Sequence, residues 1–113
     1  MEMICHLDSD VFDVVKNGNK NIEVRLLDEK RKKLKVGDTI KFLRRPLEID
    51  SIEAKVIDLV YYDNFQELVK NYEMKRLYLE STSKEEFLQL LERFYSKEEQ
   101  KENGVVAILF ELE

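Results

Sequence analysis

Strand signals crowd this chain too closely for a fold of repeated strand–helix–strand units. Residues 20–26 alternate, with Ile22, Val24 and Leu26 on one face and Asn21, Glu23 and Arg25 on the other. A short segment, 28–33, reads as a helical turn capped by Asp28. Val36-Gly37-Asp38 is then a tight turn into a strand over 39–43, which Arg44-Arg45-Pro46 breaks. Residues 48–59 alternate through Ile49, Ile52, Ala54 and Val56 and predict a long strand with a kink or bulge. Parallel neighbours need a crossover of about a dozen residues or more, and this spacing does not supply it.

The remaining elements frame these strands. Residues 2–7 predict a first strand. Ser9 caps a short helix with an apolar stripe at Val11, Phe12, Val14 and Val15, and Gly18 ends it. Asp63 or Asn64 caps a helix over 65–72, and 75–81 reads as a loop. Ser83 with Glu86, and Ser96 with Glu99, are capping-box pairs for a helix ending near Tyr95 and for a short turn that Gly104 stops. Residues 105–112 form a closing strand that pairs with the first or the central strands. The expected fold is α+β, a small and mostly antiparallel β-barrel of about five strands with inserted helices. It is expected as a single domain over residues 1–113.

Composition narrows the setting. The single cysteine, Cys5, has no internal partner, which favours a reducing compartment. The first residues are too short and too acidic for a signal peptide, and no apolar run approaches the roughly 20 residues that cross a bilayer. We therefore expect a cytoplasmic protein with no membrane partner. The net charge of −5 is unevenly spread: residues 16–45 hold eleven Lys and Arg against four Asp and Glu, and the remainder eight against twenty. One basic face on an acidic body follows.

Several chemistries lack their signatures. The three glycines are too scattered for a phosphate loop. Cys5 and His6 have opposite parity in one strand, so they build neither a metal site nor a Cys–His nucleophilic pair; no metal or cofactor is expected. His6 reads as a structural or surface histidine. Phe87, Leu88, Leu90, Leu91 and Phe94 have core-facing helical spacing.

The segment around Lys20, Glu23 and Arg25 is the candidate ligand site. Arg25 offers a planar fork to a phosphate or a base edge, and Glu23 accepts from an exocyclic amine such as that of cytosine. Lys20 shares parity with the apolar face but stands at the strand's start, where its head can reach water. Arg31 and Lys41 extend the ligand-binding set. Lys30, Lys32, Lys33 and Lys35, with Arg44 and Arg45, supply an electrostatic approach for a nucleic acid. Tyr61, Tyr62 and Phe65 offer a stacking surface or pack between a strand end and a helix. The plainer alternative is an exposed Glu23–Arg25 pair worth only about 0–1 kcal/mol.

Taken together, Gly18-Asn19-Lys20-Asn21-Ile22-Glu23-Val24-Arg25, Asp28-Glu29-Lys30-Arg31 and Val36-Gly37-Asp38-Thr39-Ile40-Lys41-Phe42 resemble the ASCH domain family. The likeness continues through Tyr62-Asp63-Asn64-Phe65-Gln66-Glu67-Leu68 and Gly104-Val105-Val106-Ala107-Ile108. It implies a PUA-like barrel with a polar cleft that binds RNA or an RNA-derived nucleoside or nucleotide. Some bacterial members of the family are similar to small amidohydrolases that deacetylate N4-acetylcytidine with a lysine, a threonine three residues on, and a glutamate before the last long helix. Lys20 matches the lysine. Glu23 stands where that group has threonine, so the covalent route loses its nucleophile. Spacing from Tyr95 puts the glutamate at Glu80. On that reading Lys20 acts as base through a lowered pKa, with Glu23 or Glu80 orienting water. A third expectation is an accessory domain that binds a protein partner.

Overall fold

The computed structural model describes residues 1–113. Five strands make one sheet: β1 (Glu2–Leu7), β2 (Ile22–Leu26), β3 (Thr39–Arg44), β4 (Ser51–Tyr62) and β5 (Val105–Leu112). Their spatial order is β1-β3-β4-β5-β2. Only β1 and β3 run parallel; the other three pairings are antiparallel. The long β4 carries an irregularity between Val56 and Asp58, where its register on β5 shifts. An extra residue of this kind increases local twist and bends the strand. The sheet curls into a half-barrel, so β1 and β2 remain unjoined edges.

Six helices fill the connections: α1 (Ser9–Lys16), α2 (Glu29–Lys32), α3 (Phe65–Val69), α4 (Met74–Leu77), α5 (Lys84–Phe94) and α6 (Lys97–Asn103). The turn α4 overlaps the start of the stretch expected as a loop, 75–81. The helix expected over 65–72 stops at Val69, and β4 starts at Ser51 rather than at residue 48. The capping boxes at Ser83 and Ser96 are both formed. No helix is long and apolar enough to cross a membrane.

The closing strand explains how the layers stack. Val105, Val106, Ala107 and Ile108 are all buried. Alternate side chains of a strand point to opposite faces, and β5 divides accordingly. Val106, Ile108 and Phe110 join one core with Cys5, Leu7, Phe12, Phe42 and Val56. Val105 and Ala107 join a second with Ile22, Val24, Phe65, Leu77, Phe87 and Leu91. Both faces are therefore covered, which is why this antiparallel strand reads as a continuous apolar run.

That division also orients β2. Glu23 pairs with Ile108 and Arg25 with Val106 across the ladder. Directly opposed residues share a face, so Glu23 and Arg25 point into the first core, while Ile22, Val24 and Leu26 point into the second. The charged positions of β2 thus face the inside of the curl.

Candidate functional site

The open seam of the half-barrel holds a cleft of about 250 Å³. His6 and Leu7 of β1 border it on one side, and Glu23, Val24 and Arg25 of β2 on the other. Leu77 at the end of α4, Tyr78 after it, Phe87 and Leu91 of α5 and Tyr95 at the C-cap of α5 extend the wall. Tyr78 stacks on Phe87 with ring centroids 5.2 Å apart, which stiffens that wall.

Lys20 lies at its floor. The structure corrects the expectation that its head escapes to water: the residue is only 3% exposed. Its Nζ donates to Ile22 O at 2.5 Å, Leu77 O at 2.8 Å and Glu23 Oε1 at 3.0 Å. The local cause is an orphaned carbonyl. β2 is a sheet edge, and Asn21 O already accepts from Phe110 N on β5, so Ile22 O faces away from the ladder. Leu77 O ends the single turn of α4 and has no helical continuation. An ammonium with three donors satisfies both carbonyls and a carboxylate at once. Backbone contacts hold it there: Lys20 N bonds to Val14 O, and Asn21 is tied to Arg76 by Asn21 N to Arg76 O and Arg76 Nε to Asn21 Oδ1.

Glu23 is 6% exposed and is gripped on both oxygens. Lys20 holds Oε1, and Arg25 Nη2 donates to Oε2 at 2.7 Å. Burial pushes its carboxyl pKa upward. The Lys20 and then the Arg25 charges, with a hydrogen bond from each, outweigh that and hold the pKa down at about 2. Arg25 is held fully protonated, first by the Glu23 charge acting against its own burial. Its Nε is buried without an acceptor. The Cys5 thiol, on the opposite edge strand, lies close enough to feel both groups. Burial first, then the Glu23 charge, push its pKa up to about 12. A thiol in that state is no nucleophile.

The arrangement is therefore a cation–anion–cation row, buried at Lys20 and Glu23 and half-buried at Arg25, under a partly aromatic wall. It can present hydrogen-bond donors and acceptors to a small polar, planar molecule. Within it, Lys20 Nζ is already engaged by three acceptors, Ile22 O, Glu23 Oε1 and Leu77 O.

Other expected residues lie elsewhere. Glu80 is exposed in the turn after α4 and does not border the cleft, so a Lys20–Glu80 pair is not assembled. Arg31 pairs with Asp28 at the start of α2, and Lys41 sits mid-β3 between Ile4 and Glu53; neither borders the cleft. Lys30, Lys32, Lys33 and Lys35 are exposed around α2, also away from its lining. Arg44 is occupied by Asp13, Asp50 and Ser9 and lies over the Phe12 ring at 4.2 Å. Arg45 alone of the basic set borders the cleft. Phe65 is core, Tyr62 shares a hydrogen bond with Tyr72, and Tyr61 is exposed; none lines the cleft.

Sequence reasoning missed Asp8, Tyr78 and Tyr95, and it misjudged α5. Of that helix's apolar stripe only Phe87 and Leu91 are buried, while Leu90 and the 70% exposed Phe94 line the cleft. The signal was present: five large apolar residues in eight positions exceed what one helix face can bury. His6 also reaches the mouth, with Nδ1 2.6 Å from Glu48 Oε1. No three His, Cys, Asp or Glu side chains are grouped to hold a metal ion.

Comparison with known proteins gives a consistent picture. The ASCH domain model matches residues 6–113. The crystal structure of PH0355, described as a hypothetical protein, superposes with a TM-score of 0.85 at 32% identity, covering 100% of both chains. The solution structure of PF0455 from Pyrococcus furiosus gives 0.76 at 33% identity, over 99% of this chain and 97% of that one. A crystallised serine-to-alanine variant of ZmASCH from Zymomonas mobilis gives 0.68 at 17% identity, over 97% and 67% of the two chains, a likeness of fold alone. No curated protein matches.

Proposed function

Because the chain belongs to the ASCH domain family, we propose that it binds RNA or an RNA-derived nucleoside or nucleotide in the seam cleft. The observation that carries this reading is the charged row of buried Lys20 and Glu23 with half-buried Arg25, beneath Tyr78, Phe87 and Tyr95. Glu23 keeps unused lone pairs for an exocyclic amine, and Arg25 keeps donors for a base carbonyl. The aromatic rings provide a face for stacking, worth about 1–3 kcal/mol per base. At about 250 Å³ the cleft is below the usual ~300–1,000 Å³ of ligand pockets, which suits one base and its sugar better than a length of strand.

Binding is favoured over hydrolysis by the same geometry. Glu80 is outside the cleft, no hydroxyl stands at position 23, and Lys20 is saturated with acceptors. A thermal-shift screen against nucleosides, nucleotides and short single-stranded RNAs tests the reading, since a ligand of the folded state raises the midpoint by mass action. A shift that disappears in Arg25→Ala is the expected result. A screen in which nothing shifts, or a shift that survives Arg25→Ala unchanged, overturns the site.

A further inference from the structure

Two charged side chains border the cleft and pair with nothing in the protein. Asp8 occupies the N-cap position of α1 but makes no side-chain capping bond. Asp28, Asn64, Ser83 and Ser96 all make that bond for their own helices. The Val11 N–H that an N-cap would take bonds to Asp10 Oδ1 at 2.9 Å instead, which leaves the Asp8 carboxylate without a partner in its own helix. Arg45 is exposed where β3 turns toward β4, and its only bond is from its backbone N–H to Leu7 O. Neither side chain joins an ion pair, with the other or with anything else. The contrast with Arg44, which is bonded to Asp13, Asp50 and Ser9, is one residue away.

The electrostatics agree. Cleft-lining side chains include Lys20, Arg25 and Arg45 against Asp8 and Glu23, an excess of one positive charge in a chain whose net charge is −5. The buried row compensates itself in part. The cation open to a newcomer is therefore Arg45 at the mouth, beside an open carboxylate.

We propose that the cleft takes a ribonucleoside monophosphate, with Arg45 receiving the phosphate and Asp8 the ribose hydroxyls. This rests on the reading of the cleft as a nucleoside site and extends it outward from the base. A guanidinium fork matches two phosphate oxygens. A carboxylate accepts from the ribose hydroxyls, as the acidic residue of dinucleotide sites does. The ligand's base occupies the Glu23–Arg25 floor and its charge stays at the wet rim, where a phosphate need not be desolvated.

Calorimetric titration at low ionic strength tests this, because salt screens an exposed guanidinium. The probes are the four ribonucleosides, their 2′-deoxy forms, their 5′-monophosphates and a short single-stranded RNA. The monophosphate is expected to bind about tenfold or more tightly than its nucleoside. In Arg45→Ala that ratio falls toward one, and in Asp8→Ala the preference for ribose over deoxyribose falls. Equal affinities for nucleoside and monophosphate, a ratio that Arg45→Ala does not change, or tighter binding of the RNA than of every monophosphate overturns the proposal and leaves the nucleoside reading standing. Binding of no probe overturns both.

Discussion

The Lys20 ammonium and the Glu23 carboxylate meet at 3.0 Å with both side chains almost closed off from water. Three residues apart in sequence, they turn what reads as a charged edge strand into a sealed ion pair, with Arg25 on the carboxylate's other oxygen. Removing one member strands the others. Glu23→Gln leaves two cations facing each other, and Lys20→Met leaves two backbone carbonyls and a carboxylate with no donor. Breaking a buried pair costs about 3–5 kcal/mol. Urea denaturation of each variant is expected to show a loss of that order, and a loss below ~1 kcal/mol would mean that the row is solvated.

The same carboxylate sets a pH window. Glu23 is held down at about 2 in the folded protein, against an ordinary value of 4.5. A depressed folded pKa contributes stability that is fully present above the unfolded value and lost as pH falls through the folded one. The stability gap between the protein and Glu23→Gln is therefore expected to be constant above about pH 5 and to narrow progressively from there toward pH 2. Denaturant midpoints measured across that range check it; a gap that does not depend on pH contradicts the assignment.

Cys5 should be chemically silent. Its thiol is buried, and its pKa is pushed up to about 12, first by burial and then by the Glu23 charge. Thiolate is the reactive form, so labelling by a disulfide reagent at pH 8 should proceed only through opening of the fold. Native protein is expected to react orders of magnitude more slowly than protein in denaturant, following the opening equilibrium. Immediate native-state labelling would contradict the packing of β1 against the β2 seam.

Gln100 holds a joint between elements. It is buried on α6, where its Oε1 accepts from Phe65 N at 3.0 Å at the start of α3. Gln100→Leu keeps the bulk and orphans that N–H, at an expected cost of about 1–3 kcal/mol. Thermal melts should show a lowered midpoint.

Much of the frame was legible in the chain. The alternation at Ile22, Val24 and Leu26, the capping boxes at Ser83 and Ser96, and Gly104 at the end of α6 with φ of 74° each encode a local geometry. These are short-range effects, in which a residue's neighbours within a turn supply its partners. The Gly18–Phe42 pattern also pointed to the family that the comparison found.

The candidate site was legible only in part of its polar lining and not in its state. The chain singles out Lys20, Glu23 and Arg25 but does not show that Lys20 is buried: two of its acceptors, Ile22 O and Glu23 Oε1, are close in sequence, while the third, Leu77 O, lies 57 residues away and meets it only in the fold. Glu80 was placed by spacing alone, and the loop turns it outward. The α5 stripe carries more large apolar residues than one helix face can bury, but its own sequence does not say which of them fall outside the core; the fold puts Leu90 and Phe94 on the cleft.

Local sequence, then, specified the strands, the caps and which β2 side chains share a face, because pleat and hydrogen-bond reach are properties of a few adjacent residues. Whether that face met water or the interior depended on the curl of the sheet, which brings the unjoined edges β1 and β2 to opposite sides of one seam. Burial, charge compensation and an open mouth are properties of surfaces that meet only after folding, and there the Lys20–Glu23–Arg25 row acquires its character.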